Sequence, residues 1–363
     1  MILWDNLTRE NYLKLHVKKD NFQKYKEIPS VLLLGKGSLD SKDLTFFIPA
    51  YKRAETLEEA VQSILSQKSL IDYEIIIVDN SGDIGEDNQI YQYVKNLNDT
   101  RISLYVNKEN IGMFGNFNRG IELANTKYVA MLHDDDILAD NYIEEIHKVL
   151  KFIRKDNQFG FLTVKSLDYH EEESLPELDG QYLKMILTRL SCNQSLFSGI
   201  GPTSCPTCGM IFSRNAFIDS GGFDELYYPS ADYILGYQMM KFGYNGYVTN
   251  KPLAYYRIGI NESTKKDINI GFVMADYYFS EYMYSESKVR KIFGELFRNV
   301  QYTMSVDGLY ENALRFGVKI DKDELKFCDG YGVCLVGILL FRVLRKLYFL
   351  TNVKQIDIEG DNY

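Results

Sequence analysis

Short apolar runs that alternate with amphipathic segments occupy the chain from residue 44 to residue 153. Four of these runs have the length and the β-branched or aromatic content of buried strands. They are Leu44–Ile48, Glu74–Val78, Ile102–Tyr105 and Tyr128–Leu132. Thr56-Leu-Glu-Glu59 predicts a capping box at the start of the first intervening helix. Since strand–helix–strand alternation favours parallel pairing, the pattern predicts an α/β fold with a mostly parallel central sheet flanked by helices.

Conspicuous residues follow the carboxyl ends of three of these runs. Pro49, Ala50 and Tyr51 follow the first run, Asp79 follows the second, and the acidic triplet Asp134–Asp136 follows the fourth. In open parallel sheets, ligands bind beyond the carboxyl ends of the strands. We therefore expect all of these residues to converge on one edge of the sheet.

The acidic triplet consists of Asp134, Asp135 and Asp136. Neighbouring carboxylates repel one another, and moving one out of water is costly without a partner. Oxygen-rich clusters of this kind suit hard cations such as Mg²⁺ or Mn²⁺, which often bridge to substrate phosphates. The alternative is a solvated acidic turn that caps the next helix. The convergence of the strand ends favours the cation site.

Composition restricts the class of protein further. A formal charge of −9 argues against a nucleic-acid binder, whose affinity would depend on basic patches. Five cysteines among 363 residues are too few for a disulfide framework. The first five residues, Met1–Asp5, lack the basic and apolar parts of a secretory signal. We expect a cytoplasmic protein.

One C-terminal segment has two interpretations. Tyr331–Phe341 is almost entirely apolar, and Arg342, Arg345 and Lys346 follow it. The apolar run has about half of the ~20 residues that a membrane-spanning helix needs. A helix lying on the inner face of the plasma membrane, with its cations toward anionic headgroups, fits this pattern. A C-terminal helix packed on the core of the protein fits it equally well.

Between Leu44 and Thr264 the chain resembles the family 2 glycosyltransferases, which bind nucleotide sugars on the GT-A fold. Each motif is weak alone, and their order and spacing together are specific. The motifs are Phe47-Ile-Pro-Ala-Tyr-Lys-Arg53, Glu74-Ile-Ile-Ile-Val-Asp-Asn-Ser81, Asn110-Ile-Gly112 with Asn116 and Gly120, Leu132-His-Asp-Asp-Asp136, Gly221-Gly-Phe-Asp224 and Tyr255-Tyr-Arg-Ile-Gly-Ile-Asn261.

The resemblance implies a division of the chain. A GT-A catalytic domain would cover residues 44–265, with a nucleotide-binding half at 44–140 and an acceptor half at 141–265. Residues 1–43 would form an N-terminal extension, and residues 266–363 a mostly helical C-terminal region.

A donor nucleotide pocket is the first site that the resemblance implies. Pro49, Ala50, Tyr51 and Glu55 would line the base and the ribose. Asp79 would accept a hydrogen bond from the base N–H, and a carboxylate there would discriminate an imide such as that of uracil.

Phosphate contacts are implied for the same edge. Arg53, Arg119 and Lys52 are cations that could bind the donor phosphates. Asn116 would also contact the donor. Lys52 and Arg53 could equally be solvated surface side chains.

The acidic triplet would be the metal motif of the family, in which one carboxylate meets the ribose and another binds a divalent ion. The family often has Leu-Asp-x-Asp-Asp, and this chain has His133 where the first Asp would fall. We expect Asp134 and Asp136 as metal ligands, with Asp135 and Asp136 as the alternative pair and with Asp134 and Asp135 also contacting the donor. His133 is expected to be a hydrogen-bonded structural residue rather than a ligand. Asn261 stands near where many relatives have a histidine, so it either contributes or leaves the site to the aspartates.

The implied reaction is inverting sugar transfer from a nucleotide-diphosphate donor, preferably a UDP-sugar. The acceptor would be a hydroxyl of a glycan or of a polyprenyl-diphosphate-linked glycan, in the synthesis of a surface polysaccharide such as O-antigen or capsule. Mn²⁺ or Mg²⁺ would stabilise the leaving diphosphate. Gly209 and Met210 would lie against the donor sugar, where glycine permits a close approach.

A general base must take the proton of the acceptor hydroxyl. The family places a carboxylate near the start of a helix in the acceptor half, and Asp232 is the matching residue. The family often has Glu-Asp there, and Ala231 departs from that pattern. Asp224 and Glu225 are the next candidates, and Asp232 could instead only cap its helix.

Two other functions remain open at this point. A sugar-phosphate nucleotidyltransferase also uses a related sheet and carboxylate-bound Mg²⁺, but it usually has a glycine-rich loop that the segment Pro49–Lys52 lacks. The other is a non-catalytic module that binds a nucleotide or a carbohydrate.

Overall fold

The computed structural model describes most of the chain. The described residues are 7–68, 70–170, 174–177, 184–197, 206–259, 265–332 and 335–358.

The described strands form one sheet. They are β1 Ser30–Leu34, β2 Leu44–Ala50, β3 Tyr73–Asp79, β4 Ile102–Asn107, β5 Tyr128–Met131, β6 Ile137–Leu138, β7 Phe159–His170, β8 Ile186–Arg189, β9 Met210–Ser213, β10 Asn245–Ile258 and β11 Gln355–Asp357.

Helices cover both faces of this sheet and form the C-terminal region. The described α-helices are α1 Arg9–Leu13, α2 Ala54–Leu65, α3 Gln89–Leu97, α4 Gly112–Leu123, α5 Tyr142–Ile153, α6 Arg214–Asp219, α7 Ala231–Lys241, α8 Lys266–Ser285, α9 Lys288–Arg315 and α10 Leu335–Asn352. None of these helices combines the length and the apolar character that crossing a membrane requires.

The sheet is mixed, with four consecutive parallel strands and an antiparallel edge strand, β1, beside β4. The strand order is β1-β4-β3-β2-β5-β9-β7-β10-β8-β11, with β6 paired to β10. Strands β4, β3, β2 and β5 are mutually parallel, as the strand–helix alternation predicts. Strand β9 runs antiparallel to both of its neighbours, β5 and β7. The predicted α/β fold is therefore confirmed, and the second half of the sheet departs from mostly parallel pairing because β9 reverses the direction of the chain.

Alternating side chains of the central strands fill two cores, one on each face. On β2, Phe46 and Ile48 belong to the cluster that includes residues of α2 and α5. Phe47 points to the opposite cluster, which includes residues of α4 and α7. A Cβ on Gly120 of α4 would lie 2.1 Å from the ring of Phe47, so a glycine is needed for this helix to pack so closely. Strands buried on both faces explain the continuous apolar runs.

The three parts of the chain named from the sequence share a core. In the N-terminal extension, Tyr12 and Leu15 are fully buried in the cluster around Phe47. In the C-terminal region, Phe279 and Met283 of α8 are buried in the same cluster. The extension also contributes β1, which pairs with β4. Both segments are therefore integral to the fold that carries the site.

Candidate active site

A cleft of about 440 Å³ lies at the carboxyl ends of β2, β3 and β5. The described residues that line it from these strand ends include Pro49, Ala50, Tyr51, Asp134 and Asp135. The convergence that the parallel pairing predicts is therefore present for the residues that follow β2 and for Asp134 and Asp135. The exposed ring of Tyr51 gives this cleft a flat apolar surface.

Direct hydrogen bonds join the end of β2 to the acidic triplet. The backbone N–H of Tyr51 donates to Asp134 Oδ2 over 3.1 Å. Arg53 Nη1 donates to Asp135 Oδ2 over 2.6 Å and lies 3.6 Å from Asp134 Oδ1. Arg53 lines the cleft, where its guanidinium could also meet a diphosphate.

The third aspartate, Asp136, lies beneath the cleft and is fully buried. Its Oδ1 accepts the backbone N–H of Arg257 over 3.1 Å. The Arg257 guanidinium donates to the carbonyl of Asp135 over 2.9 Å, pairs with Glu59 and lies 5.1 Å from the centre of the Tyr169 ring. Strand β10 therefore fixes both the backbone and one carboxylate of the triplet.

The electrostatics of the triplet fit a bound cation. Burial, followed by the neighbouring charge of Asp135, raises the pKa of Asp134 to about 7. The same two causes raise the pKa of Asp136 well above its usual range. Asp136 Oδ2 is buried and accepts no N–H or hydroxyl donor from the described residues, although the Cys208 thiol is a hydrogen-bond partner of the same carboxyl. Because a divalent ion would supply a stronger partner and offset the repulsion, the residues present suit Mn²⁺ or Mg²⁺.

His133 lies against the same cluster. Its ring stacks on Phe117 with the ring centres 5.6 Å apart and the planes 20° apart. Nε2 is 2.8 Å from Thr207 Oγ1, and Nδ1 is 3.4 Å from Asp136 Oδ2. Burial lowers the pKa of His133, which favours the neutral imidazole. The hydrogen bond expected for this histidine is present.

Asp232 lines the cleft from the first turn of α7. Ser230 is the N-cap residue, so Asp232 does not occupy the capping position. One of its oxygens accepts the N–H of Tyr233 over 2.9 Å. Burial of the carboxyl raises its pKa to about 7, a value suited to a general base near neutral pH.

The other two carboxylates considered for the base lie outside the cleft. Asp224 pairs with Lys19 over 2.7 Å and accepts the N–H of Leu226. Glu225 pairs with Lys24 and accepts from the hydroxyl of Tyr25. Both carboxylates tie the N-terminal segment to the fold.

The expectation for Asp79 requires a correction. This residue has no exposed surface and does not line the cleft. Its oxygens accept from the N–H and the hydroxyl of Ser81 and from Asn88 Nδ2. The next residue, Asn80, lines the cleft instead. Successive residues along a strand point in opposite directions.

Arg119 also departs from its expected role. Its guanidinium donates to the carbonyls of Ile28 and Tyr25 over 2.8 Å and 2.9 Å, and to Ser30 Oγ over 2.5 Å. The side chain is buried beneath the N-terminal segment and is not part of the cleft. Arg119 therefore anchors residues 25–30 to α4 rather than facing a phosphate.

Three more expected contact residues do not line the cleft, whereas Asn116 does. Glu55 is exposed in the first turn of α2. Gly209 and Met210 are buried, and a Cβ on Gly209 would lie 2.9 Å from Val164. The glycine is required by its φ of +68° and by this core contact, not by an approach to a sugar.

Several residues of the cleft belong to none of the sequence motifs quoted above. The described ones include Phe114, Thr207, Tyr228, Ile268 and Phe272. The last two belong to α8, so the C-terminal region closes one side of the cleft. Asn261 lies outside the described residues.

Residues 45–219 match the family model described as Glycosyl transferase family 2. Together with the GT-A type of α/β fold and the ordered motifs, this match makes the matched part of the chain similar to glycosyl transferase family 2. The matched residues run from β2 to the end of α6 and include the acidic triplet.

The individual curated relatives match this chain at low identity or over only part of their length. The amylovoran biosynthesis glycosyltransferase AmsB of Erwinia amylovora is 24% identical over 219 residues, which is 60% of this chain and 71% of AmsB. Other curated relatives, two uncharacterised glycosyltransferases of Rickettsia, are matched over only 26% and 22% of their own length.

Two solved structures share the fold. Residues 1–349 of S. aureus TarS in complex with UDP-GlcNAc give a TM-score of 0.52 at 14% identity, covering 77% of each chain. The mannosyltransferase PcManGT of Pyrobaculum calidifontis in complex with GDP-Man and Mn²⁺ gives 0.50 at 12% identity, covering 91% of this chain and 93% of PcManGT.

Proposed function

We propose that this protein is a metal-dependent, inverting glycosyltransferase that moves a sugar from a nucleoside-diphosphate donor to an acceptor hydroxyl in polysaccharide synthesis. The observation that carries the proposal is one cleft lined by Tyr51, by Asp134 and Asp135, and by Asp232. This cleft brings together residues that would form a nucleotide-binding edge, a cation site and a general base.

The donor would lie across the strand ends. The exposed Tyr51 ring offers a stacking surface for the base. Asp134, which the Tyr51 N–H holds in place, would contact the ribose, and Arg53 would meet the diphosphate. The preference for uridine that was expected from Asp79 loses its support, because that carboxylate is outside the cleft. We therefore propose the donor as a nucleoside-diphosphate sugar without assigning its base.

A cation held by the acidic triplet, as Mn²⁺ or Mg²⁺, would neutralise the charge that develops on the departing diphosphate. Asp232 would accept the proton of the acceptor hydroxyl as its oxygen bonds to the anomeric carbon and the bond to the diphosphate breaks. Inversion follows if the attack is a single displacement from the opposite face. The burial that raises the pKa of Asp232 makes this carboxylate a stronger base than an exposed aspartate.

A panel of UDP-, GDP- and dTDP-sugars tests the proposal through slow donor hydrolysis with Mn²⁺. We expect one donor to release its nucleotide, and Asp232→Asn to suppress the release while donor affinity is retained. Release of pyrophosphate from a nucleoside triphosphate and a sugar phosphate would instead identify a nucleotidyltransferase. Donor binding without turnover, unchanged by Asp232→Asn, would identify a binding module.

We also propose that α10 docks the protein on an anionic lipid surface, where a polyprenyl-diphosphate-linked acceptor would be found. One face of this helix packs on the protein: Phe341 is 1% exposed and its ring centre is 5.5 Å from that of Phe297 in α9. The other face carries exposed apolar side chains, which are Leu335, Val336, Leu339, Leu340, Val343, Leu347 and Leu350.

Two features favour lipid over a protein partner. The exposed cations Arg342 and Lys346 lie at one edge of this apolar face, as on helices that lie in a headgroup layer. Helix α9 adds Val289, Ile292 and Leu296, which are exposed at helical spacing beside the residues that contact α10. The sequence left open whether this helix packs on the core or contacts lipid. One face packs on α9 through Phe341, and we propose that the opposite face contacts lipid.

Flotation with phosphatidylglycerol vesicles tests this docking. We expect the wild type to float, and the double variant Leu339→Gln/Leu347→Gln to remain in the dense fraction. Arg342→Glu/Lys346→Glu should weaken flotation, most strongly at low salt. Leu39→Gln, at another exposed leucine, serves as the matched control. A wild type that stays unbound while forming a dimer by light scattering would show that this face is a protein interface.

A further inference from the structure

His133 presents its two ring nitrogens to different partners. Nε2 faces the hydroxyl of Thr207 at 2.8 Å, and Nδ1 faces Asp136 Oδ2 at 3.4 Å. Stacking on Phe117 fixes the plane of the ring. An Nε2–H that donates to Thr207 leaves the lone pair on Nδ1, directed toward the acidic triplet.

The atoms around Nδ1 form a ligand set. One atom each from His133, Asp135 and Asp136 lies within 4.8 Å of the other two, so one ion could reach all three. Asp136 Oδ2 is buried and accepts no N–H or hydroxyl donor from the described residues, and the Cys208 thiol is only a weak donor to the same carboxyl, so a cation can still bind there. A metal-bound histidine typically donates its second ring N–H to a neighbouring acceptor, and Thr207 occupies that position.

Asp134 is engaged differently. Its Oδ2 accepts the Tyr51 N–H at 3.1 Å, and its Oδ1 lies 3.6 Å from Arg53. Both oxygens therefore face nitrogen donors of the nucleotide-binding edge. Among the described groups that could hold a metal, His133 takes the place beside Asp135 and Asp136 that Asp134 was expected to fill.

We propose that His133 is a direct ligand of the cation through Nδ1, together with Asp135 and Asp136, and that it sets the ion selectivity of the site. The inference rests on the proposed function, since it refines the cation site of the same cleft. Mg²⁺ prefers oxygen ligands alone, whereas Mn²⁺ and the later first-row metals accept an imidazole readily. The site should therefore favour Mn²⁺ over Mg²⁺.

Pulsed electron paramagnetic resonance of the Mn²⁺-loaded protein tests this coordination without turnover. We expect nitrogen modulation from one directly bound imidazole in the wild type. His133→Gln, which retains a polar atom near Thr207 but lacks Nδ1, should lose that modulation and bind Mn²⁺ at least about 10-fold more weakly, with Mg²⁺ affinity nearly unchanged. His147→Gln on α5 is the matched control and should keep the nitrogen signal.

The remaining outcomes separate this inference from the proposed function. His133→Asp should shift the preference toward Mg²⁺, and thermal melts should confirm that each variant is folded. If the wild type gives no nitrogen signal, and Asp136→Ala abolishes Mn²⁺ binding while His133→Gln does not, His133 is not a ligand. The cation site itself would still stand in that case. A wild type that binds no Mn²⁺, even with a donor present, would overturn both.

Discussion

The backbone N–H of Tyr51 donates to Asp134 Oδ2 over 3.1 Å, across 83 positions of sequence. This bond joins the end of β2 to the acidic triplet after β5, its parallel neighbour. A backbone donor fixes the carboxylate without depending on a flexible side chain. The proposed nucleotide-binding edge and the candidate cation site are consequently joined by a direct hydrogen bond.

The pH dependence of turnover should report Asp232. Because burial raises its pKa to about 7, this proposed base is protonated in acid and ionises as the pH rises. We expect kcat/KM to rise with pH and to level off above about pH 7. Asp232→Asn should lower kcat by about 10²–10⁴-fold and flatten the profile. If Asp232→Asn keeps full activity and the same dependence of kcat/KM on pH between pH 5 and pH 9 as the wild type, Asp232 is not the base.

The same substitution should stabilise the fold. The pKa of Asp232 rises from an ordinary value of 3.8 to about 7, so the folded state holds a proton that the unfolded state releases. Stability is therefore greatest below pH 4 for this group and is lost as the pH rises toward 7. Asp232→Asn avoids this cost, and its advantage in free energy of unfolding should widen to about 1–3 kcal/mol at pH 8. Urea titrations at several pH values measure the difference, and an advantage that shrinks with pH would contradict the assignment.

Two arginines near the sheet edge should behave in opposite ways. Arg53→Met should weaken donor binding by about 10-fold, since the side chain lies in the cleft, and should cost less stability than Arg119→Met because among the described residues it removes one hydrogen bond, to Asp135. Arg119→Met removes three hydrogen bonds to the N-terminal segment and should cost about 2–4 kcal/mol of stability. Donor titration calorimetry and melting curves compare the pair. Loss of donor affinity in a well-folded Arg119→Met protein would restore Arg119 to the donor site.

Asp79 should contribute to folding rather than to base selection. Asp79→Ala leaves Ser81 and Asn88 without their acceptor and should cost about 1–3 kcal/mol. The ranking of UDP-, GDP- and dTDP-sugars should be the same as in the wild type. A changed ranking in calorimetric titrations would show that the carboxylate reads the base after all.

Sequence patterns predicted the elements better than the orientation of single side chains. The parallel order of β4, β3, β2 and β5 follows from strand–helix alternation, and it brings Tyr51 and Asp134 together. The choice between Asp79 and Asn80 depends on a single step of strand alternation, which composition does not determine. The predicted capping box was wrong, because α2 begins at Ala54 and Thr56 lies inside its first turn.

Contacts between distant segments were not accessible from sequence. Ile268 and Phe272 close the cleft from α8, and neither belongs to a motif. Arg119 was assigned by its charge, yet its partners come from residues 25–30. Strand β9 changes the direction of pairing in the sheet, and a four-residue apolar strand carries no signal for that change.

Calorimetric titration of the nucleotide-sugar panel, with and without Mn²⁺, tests the central claim most directly when wild type and Asp136→Ala are compared. The account predicts that at least one donor binds the wild type in a Mn²⁺-dependent manner, and that Asp136→Ala loses at least about 10-fold of that affinity. A donor affinity that changes neither with Mn²⁺ nor with Asp136→Ala, or no donor binding at all, would contradict this claim.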